Sequence, residues 1–150
     1  MRRAFYEEFK KQDAWILYDD VGFGVLEVDN PRCINVGIAE QTLVGMAAGM
    51  ASCGAKVYCY FIAPHIIRAW DFVRNLVAYK KRNVILIGVG VDDEYAYLGK
   101  SHTAYVEEMK GLCTAIGLDY YRPYFADELR GLIAKDGPMF IHVSKGAPRG

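Results

Sequence analysis

The chain has 150 residues, of which 53% are apolar and 24% charged, with 18 Lys and Arg balancing 18 Asp and Glu. That length and apolar fraction suit one folded domain and exclude a disordered chain; the neutral balance argues against the basic stripe of a nucleic-acid binder and against an acidic or polybasic tail. No apolar run reaches membrane-spanning length, the N-terminal MRRAFYEEFKKQ lacks the apolar stretch of a signal peptide, and Cys33, Cys53, Cys59 and Cys113 match no zinc or redox spacing, so a reduced, cytoplasmic protein is expected.

The hydrophobic pattern alternates between short β-rich runs and longer helical stretches. It predicts a helix over 3–12, a strand Trp15–Tyr18 running into a loop at Asp19, Asp20 and Gly22, and a strand Cys33–Val36 after Pro31. A helix over 39–53 stops at Gly54. Val57–Ile62 is β-branched and aromatic, a third strand, and a helical stretch over 65–80 starts just after Pro64. Asn83–Val89 is the clearest buried strand and leads into a Gly-rich loop over 90–101. A helix over 103–116, a strand near Asp119–Arg122, a helix over 126–135 and a last strand Met139–Val143 complete the chain. Strand and helix in alternation predict an α/β fold: an open, mostly parallel sheet with helices on both faces, in a single domain over 1–150.

Ligands of such sheets bind outside the carboxyl ends of the strands, here the loops 19–24, 36–40, 62–66, 88–102, 123–126 and 144–146. Gly88–Gly90 starts like a dinucleotide fingerprint but lacks the third Gly and an immediate helix, and no P-loop string is present. In Asn35–Gln41 a strand end, a Gly turn and Glu40 in the first turn of a helix follow one another. Glu40 reads as a carboxylate complementing the helix dipole, or as a ligand-binding group. The helix behind it is small-sided, with Gly45, Ala47, Ala48, Gly49 and Ala51, which points to close approach of another backbone, either the domain's own sheet or a partner chain. Ser101 and His102, at the end of the long loop, read equally as a capped surface turn or as groups meeting a ligand. His65 holds a similar strand-end position, whereas His142 falls inside the last strand and reads as a packed residue.

Taken together these loops resemble the pyrimidine-binding domain of transketolase-like, thiamine-diphosphate-dependent enzymes. INVGIAEQTLVGMAAGMASCGAKVYCY is similar to that family's "INVGIAEQ–VG–AAGLA–G"; Asp20–Gly24 resembles "GDLGFG", Arg68–Asn75 "RAYDQIRN" and Tyr97–His102 "YLGPTH". The similarity runs from about Trp15 to Val143. It implies that Glu40 hydrogen-bonds the N1′ nitrogen of the cofactor's aminopyrimidine and favours the tautomer that deprotonates the thiazolium ring. It also implies that Ile62, His65 (where a Phe is usual) and Arg68 belong to the cofactor pocket, that His102 takes part in proton transfer at the substrate, and that Asp20 and Ser101 lie near the substrate. Lys100 stands where Pro is common, and the helix after His102 keeps its acidic pair only with a one-residue shift.

The G-D-G string with a distant Asn that holds the diphosphate through a divalent cation is absent, as is the third, C-terminal domain. The resemblance therefore implies either an enzyme split into small subunits or a fragment of a longer chain; the split enzyme is the leading reading. This chain would supply the pyrimidine side, and a diphosphate-binding partner chain would hold Mg2+ and thiamine diphosphate's other end, with no metal ligand on this chain. A two-carbon ketol unit would pass between sugars or sugar phosphates. A 2-oxo acid decarboxylase subunit on the same cofactor, and a non-catalytic scaffold that keeps the fold, are the alternatives.

Overall fold

The computed structural model describes residues 1–26 and 29–145; the strand-end loop expected at 144–146 lies in part outside the described residues. Six strands form one parallel sheet: β1 (Trp15–Tyr18), β2 (Cys33–Asn35), β3 (Val57–Ile62), β4 (Val84–Val89), β5 (Asp119–Tyr121) and β6 (Met139–Val143), in the order β2-β1-β3-β4-β6-β5. The helices are α1 (Arg2–Phe9), α2 (Glu40–Ser52), the short α3 (Trp70–Phe72), α4 (Val106–Ala115) and α5 (Ala126–Ile133). The expected parallel α/β sheet is therefore present. Among the described residues no helix is long and apolar enough to cross a membrane.

Period-two alternation divides the core between the two faces of the sheet. Ile16, Tyr58, Tyr60, Ile85 and Ile87 face α1 and α5, meeting Phe5, Phe9, Leu129 and Ile133. Leu17, Cys59, Phe61, Val84 and Leu86 face the other way, meeting Leu43, Val44 and Ala47 of α2 and Met109 and Cys113 of α4. Both faces are covered, so β4 is buried at every position, as its unbroken apolar run predicts. Cys59 and Cys113 are buried in this core and pack as small apolar residues. His142 of β6 is buried, with Nε2–H donating to Gly90 O at 2.6 Å and the Tyr120 hydroxyl donating to Nδ1 at 2.8 Å.

Most boundaries shift by a residue or two; the three larger departures from the sequence expectation each have a local reason. α1 ends at Phe9 because Lys11 and Gln12 donate to carbonyls three residues back, tightening the last turn. α4 starts at Val106, not 103: Thr103 is extended, and Ala104 pairs with Asp92 in an antiparallel bridge. The helix expected over 65–80 is a 3₁₀ turn over Ala63–Ala69, one turn of α3, and a π-helical segment over Val73–Ala78. Gly88 is a packing residue: a Cβ there would lie 2.6 Å from the Phe140 ring and 3.0 Å from Ala63 Cβ. Its lack of a side chain lets the Phe140 ring and Ala63 pack directly over β4.

Candidate functional site

The chain leaves β1 to one side for β2 and then returns to the other side for β3. The strand order thus reverses between β1 and β3, the point of an open α/β sheet where a crevice forms beyond the carboxyl ends. Three connections meet there: the turn after β1, the start of α2 after β2, and the 3₁₀ turn after β3.

Glu40 is the first residue of α2 and is buried at 5% exposure. Its carboxylate lies where the helix presents unpaired N–H groups and a partial positive charge, which favours an anion. Arg68 Nη1 donates to Glu40 Oε1 at 2.6 Å, and His65 Nδ1 lies 3.6 Å from the same oxygen. The 3₁₀ geometry explains why both side chains arrive together: residues i and i+3 eclipse one another there, so His65 and Arg68 share one edge of the turn. Gln41 extends the contact by donating from Nε2 to Arg68 O at 3.2 Å.

Sequence reasoning missed Asp19. It is 2% exposed, follows β1 directly, and places Oδ2 3.7 Å from His65 Nδ1. Neither carboxylate oxygen has a hydrogen-bond partner among the described residues. Burial pushes its carboxyl up to about 6, against the opposing pull of His65. Two adjacent Asp residues at a strand end were the available signal, because alternation sends neighbouring side chains to opposite sides. Asp19 takes the inner side and Asp20 the outer. Asp20, at φ 63°, accepts from Asn35 Nδ2 at 2.9 Å, while Asn35 Oδ1 accepts from the N–H groups of Asp20 and Gly37. Asn35 thus ties the β1 and β2 ends together.

The loop after β4 brings the second histidine in. His102 ends a short 3₁₀ turn, Lys100–His102, and its ring meets the His65 ring edge-on at 4.8 Å between centroids. Ser101 Oγ lies 2.9 Å from His102 Nδ1. Desolvation lowers the His102 pKa, and the neighbouring His65 and Arg68 act in the same direction. Glu40, His65, Arg68 and His102 therefore form one contiguous cluster, with Ser101 beside it. Ile62 and Asp20 gather elsewhere: they line a cavity of about 240 Å³ with Arg2, Phe23, Tyr60 and Tyr95, and Ile62 packs on the sheet face opposite α2.

The sequence profile of the family "Transketolase, pyrimidine binding domain" matches residues 4–148. The chain belongs to the transketolase pyrimidine-binding domain family. It is 30% identical over 123 residues to an apulose-4-phosphate transketolase subunit of Phocaeicola vulgatus, covering 76% of this chain and 38% of that protein. It is 31% identical over 117 residues to the 6-deoxy-6-sulfo-D-fructose transketolase subunit SqwH of Clostridium sp. (strain MSTE9), covering 75% and 36%. Its fold matches a solved structure described as "Split gene transketolase, inactive beta4 tetramer" with a TM-score of 0.78 and 25% identity, over 97% of this chain and half of that one. The chain thus spans less than two fifths of these two curated relatives.

Proposed function

We propose that this transketolase pyrimidine-binding domain is one half of a split transketolase-like enzyme. It binds the aminopyrimidine end of thiamine diphosphate and works with a separate diphosphate-binding chain that holds Mg2+. The observation that carries this reading is the buried Glu40 carboxylate, set on a helix N-terminus at the sheet's switch point and clamped by Arg68. Support comes from the family membership and from relatives that are themselves named as transketolase subunits.

The residues present fit the cofactor's ring. Glu40 offers a buried carboxylate to a ring nitrogen, and with little water around it a charge-assisted hydrogen bond is strong. Arg68 holds one carboxylate oxygen at 2.6 Å and so fixes the direction of the other. His65 and His102, ring against ring, form the adjoining wall, and His102, the more exposed of the two, is proposed to meet the substrate. When bound, thiamine diphosphate supplies the carbanion chemistry of the thiazolium ring; the protein supplies orientation and electrostatics. The reaction proposed is transfer of a two-carbon ketol unit between sugars or sugar phosphates.

The test is Glu40→Gln in the assembled pair. The amide keeps the size and the helix start but removes the charge that the ring nitrogen and Arg68 both need. Ketol transfer is expected to fall by about 10²-fold or more, the order seen when one electrostatic catalytic group is removed, with circular dichroism unchanged. Undiminished turnover would sink the assignment and leave Glu40 as a helix-end carboxylate.

A further inference from the structure

The Glu40 cluster carries more charge than one ring nitrogen calls for. Two carboxylates and an imidazole converge from three separate elements: Asp19 after β1, Glu40 at the start of α2 and His65 in the 3₁₀ turn. All three are buried, and one ligand-type atom from each lies within 4.8 Å of the others. Burying a carboxylate without a partner is costly, because water is removed and nothing replaces it. Asp19 is in that condition, with both oxygens lacking a hydrogen-bond partner, and so is His65 Nε2. Satisfying Asp19 takes a proton, a hydrogen-bond donor or a cation, and the imidazole and second carboxylate beside it suit a cation.

The separations favour a cation held by all three. A four-coordinate ion with bonds of about 2.0–2.1 Å keeps its ligand atoms roughly 3.3 Å apart. His65 Nδ1 is 3.7 Å from Asp19 Oδ2 and 3.6 Å from Glu40 Oε1, so small side-chain rotations reach that spacing. One imidazole with two carboxylates is a donor set suited to Zn2+, Mn2+ or Fe2+, whereas Mg2+ keeps to oxygen ligands and water.

We propose that Asp19, Glu40 and His65 form a binding site for a divalent transition-metal ion, taken up through Asp19 Oδ2, Glu40 Oε1 and His65 Nδ1. Arg68 now occupies Glu40 Oε1, but its side chain is 53% exposed, so it can turn outward into water when the ion takes that oxygen. The His102 ring packs against His65 and limits the ring's freedom to turn away. One consequence rests on the proposed function: the ion and the aminopyrimidine would compete for Glu40, so a bound ion would block the cofactor.

The experiment is calorimetric titration of the metal-stripped full chain with ZnCl2, repeated on Asp19→Asn and His65→Phe, with zinc-edge X-ray absorption on the loaded protein. Asp19→Asn removes a buried charge and keeps the side-chain shape, so it is expected to fold. The expected result is one Zn2+ per chain, a purely nitrogen and oxygen ligand shell, and binding weakened by about tenfold or more in each variant, at least the loss seen when supporting ligand contacts are removed. Absence of binding, binding that survives Asp19→Asn, or sulfur in the shell would each overturn the proposal. The last would place the ion on cysteines. No cofactor enters these measurements, so their failure is distinct from failure of the transketolase reading, which rests on turnover by the pair.

Discussion

His142 shows how one buried group makes stability depend on pH. Its two ring nitrogens are both satisfied in the neutral form, Nε2–H donating to Gly90 O and Nδ1 accepting from Tyr120. Burial disfavours the charged ring and pushes the pKa down to about 4, against the pull of the Gly90 carbonyl. In the unfolded chain the same ring titrates near 6.5. As pH falls from about 6.5 towards 4, the unfolded state takes up the proton first, so this contribution to stability is full above that window and is lost within it. The slope is at most about 1.4 kcal/mol per pH unit. Asp19, raised to about 6, acts in the opposite sense over part of that range, so the informative quantity is a difference between two proteins. Urea midpoints at pH 7, 6 and 5 are expected to fall more for the parent chain than for His142→Leu; parallel curves would remove His142 as the cause. Burial also explains which residues were legible. Glu40, His65, Arg68 and His102 stand at strand ends with recognisable neighbours, whereas Asp19 follows a strand buried on both faces. Ile16 and Leu17 are both apolar, so no polar alternation marks which of Asp19 and Asp20 turns inward.

At the level of elements, α2 separates what the domain's own packing explains from what it does not. Leu43, Val44, Ala47 and Ala48 are buried against the sheet, and Gly45 faces the Phe72 ring, 3.6 Å from where its Cβ would stand. Gly49 is exposed, and a Cβ there would meet nothing within 4 Å. Gly in a helix interior costs about 1 kcal/mol relative to Ala, so Gly49→Ala is expected to raise the stability of the isolated chain by up to about 1 kcal/mol. In the assembled pair the same methyl group is expected to weaken association if a partner's backbone lies on that face. Thermal melts of the chain and sedimentation of the pair read the two effects separately; a variant that destabilises the isolated chain would contradict the open geometry at Gly49. The strands were legible because each is a short apolar run flanked by Gly, Pro or Asp, and β1, β3 and β6 match their expected limits. The segment over 63–78 was not legible in detail. Apolar spacing distinguishes a helix from a strand, but 3₁₀, α and π turns differ in pitch by less than the sequence pattern resolves.

At the scale of the molecule, the crevice between β1 and β3 presents one wall. Glu40, Arg68, His65 and His102 all rise from the carboxyl end of the same sheet, so a ligand bound as proposed would be met from one side. Tight sites for small molecules bury roughly 70–90% of the ligand's surface, and one wall contacting one end of a cofactor falls well short of that. On the proposed function, the remaining area is supplied by the diphosphate-binding surface. The chain alone is therefore expected to bind thiamine diphosphate with a Kd no tighter than about 1 mM even with Mg2+ present, equivalent to only about 4 kcal/mol. Once paired with a chain that binds the diphosphate and its cation, the complex is expected to reach the micromolar range, a gain of about 4 kcal/mol that neither chain supplies alone. Calorimetry on the chain, on its co-purifying partner and on the mixture makes the comparison directly. Micromolar binding by the chain alone would mean that this crevice closes around the cofactor unaided, and the split-site reading would then fail even if Glu40 proved essential.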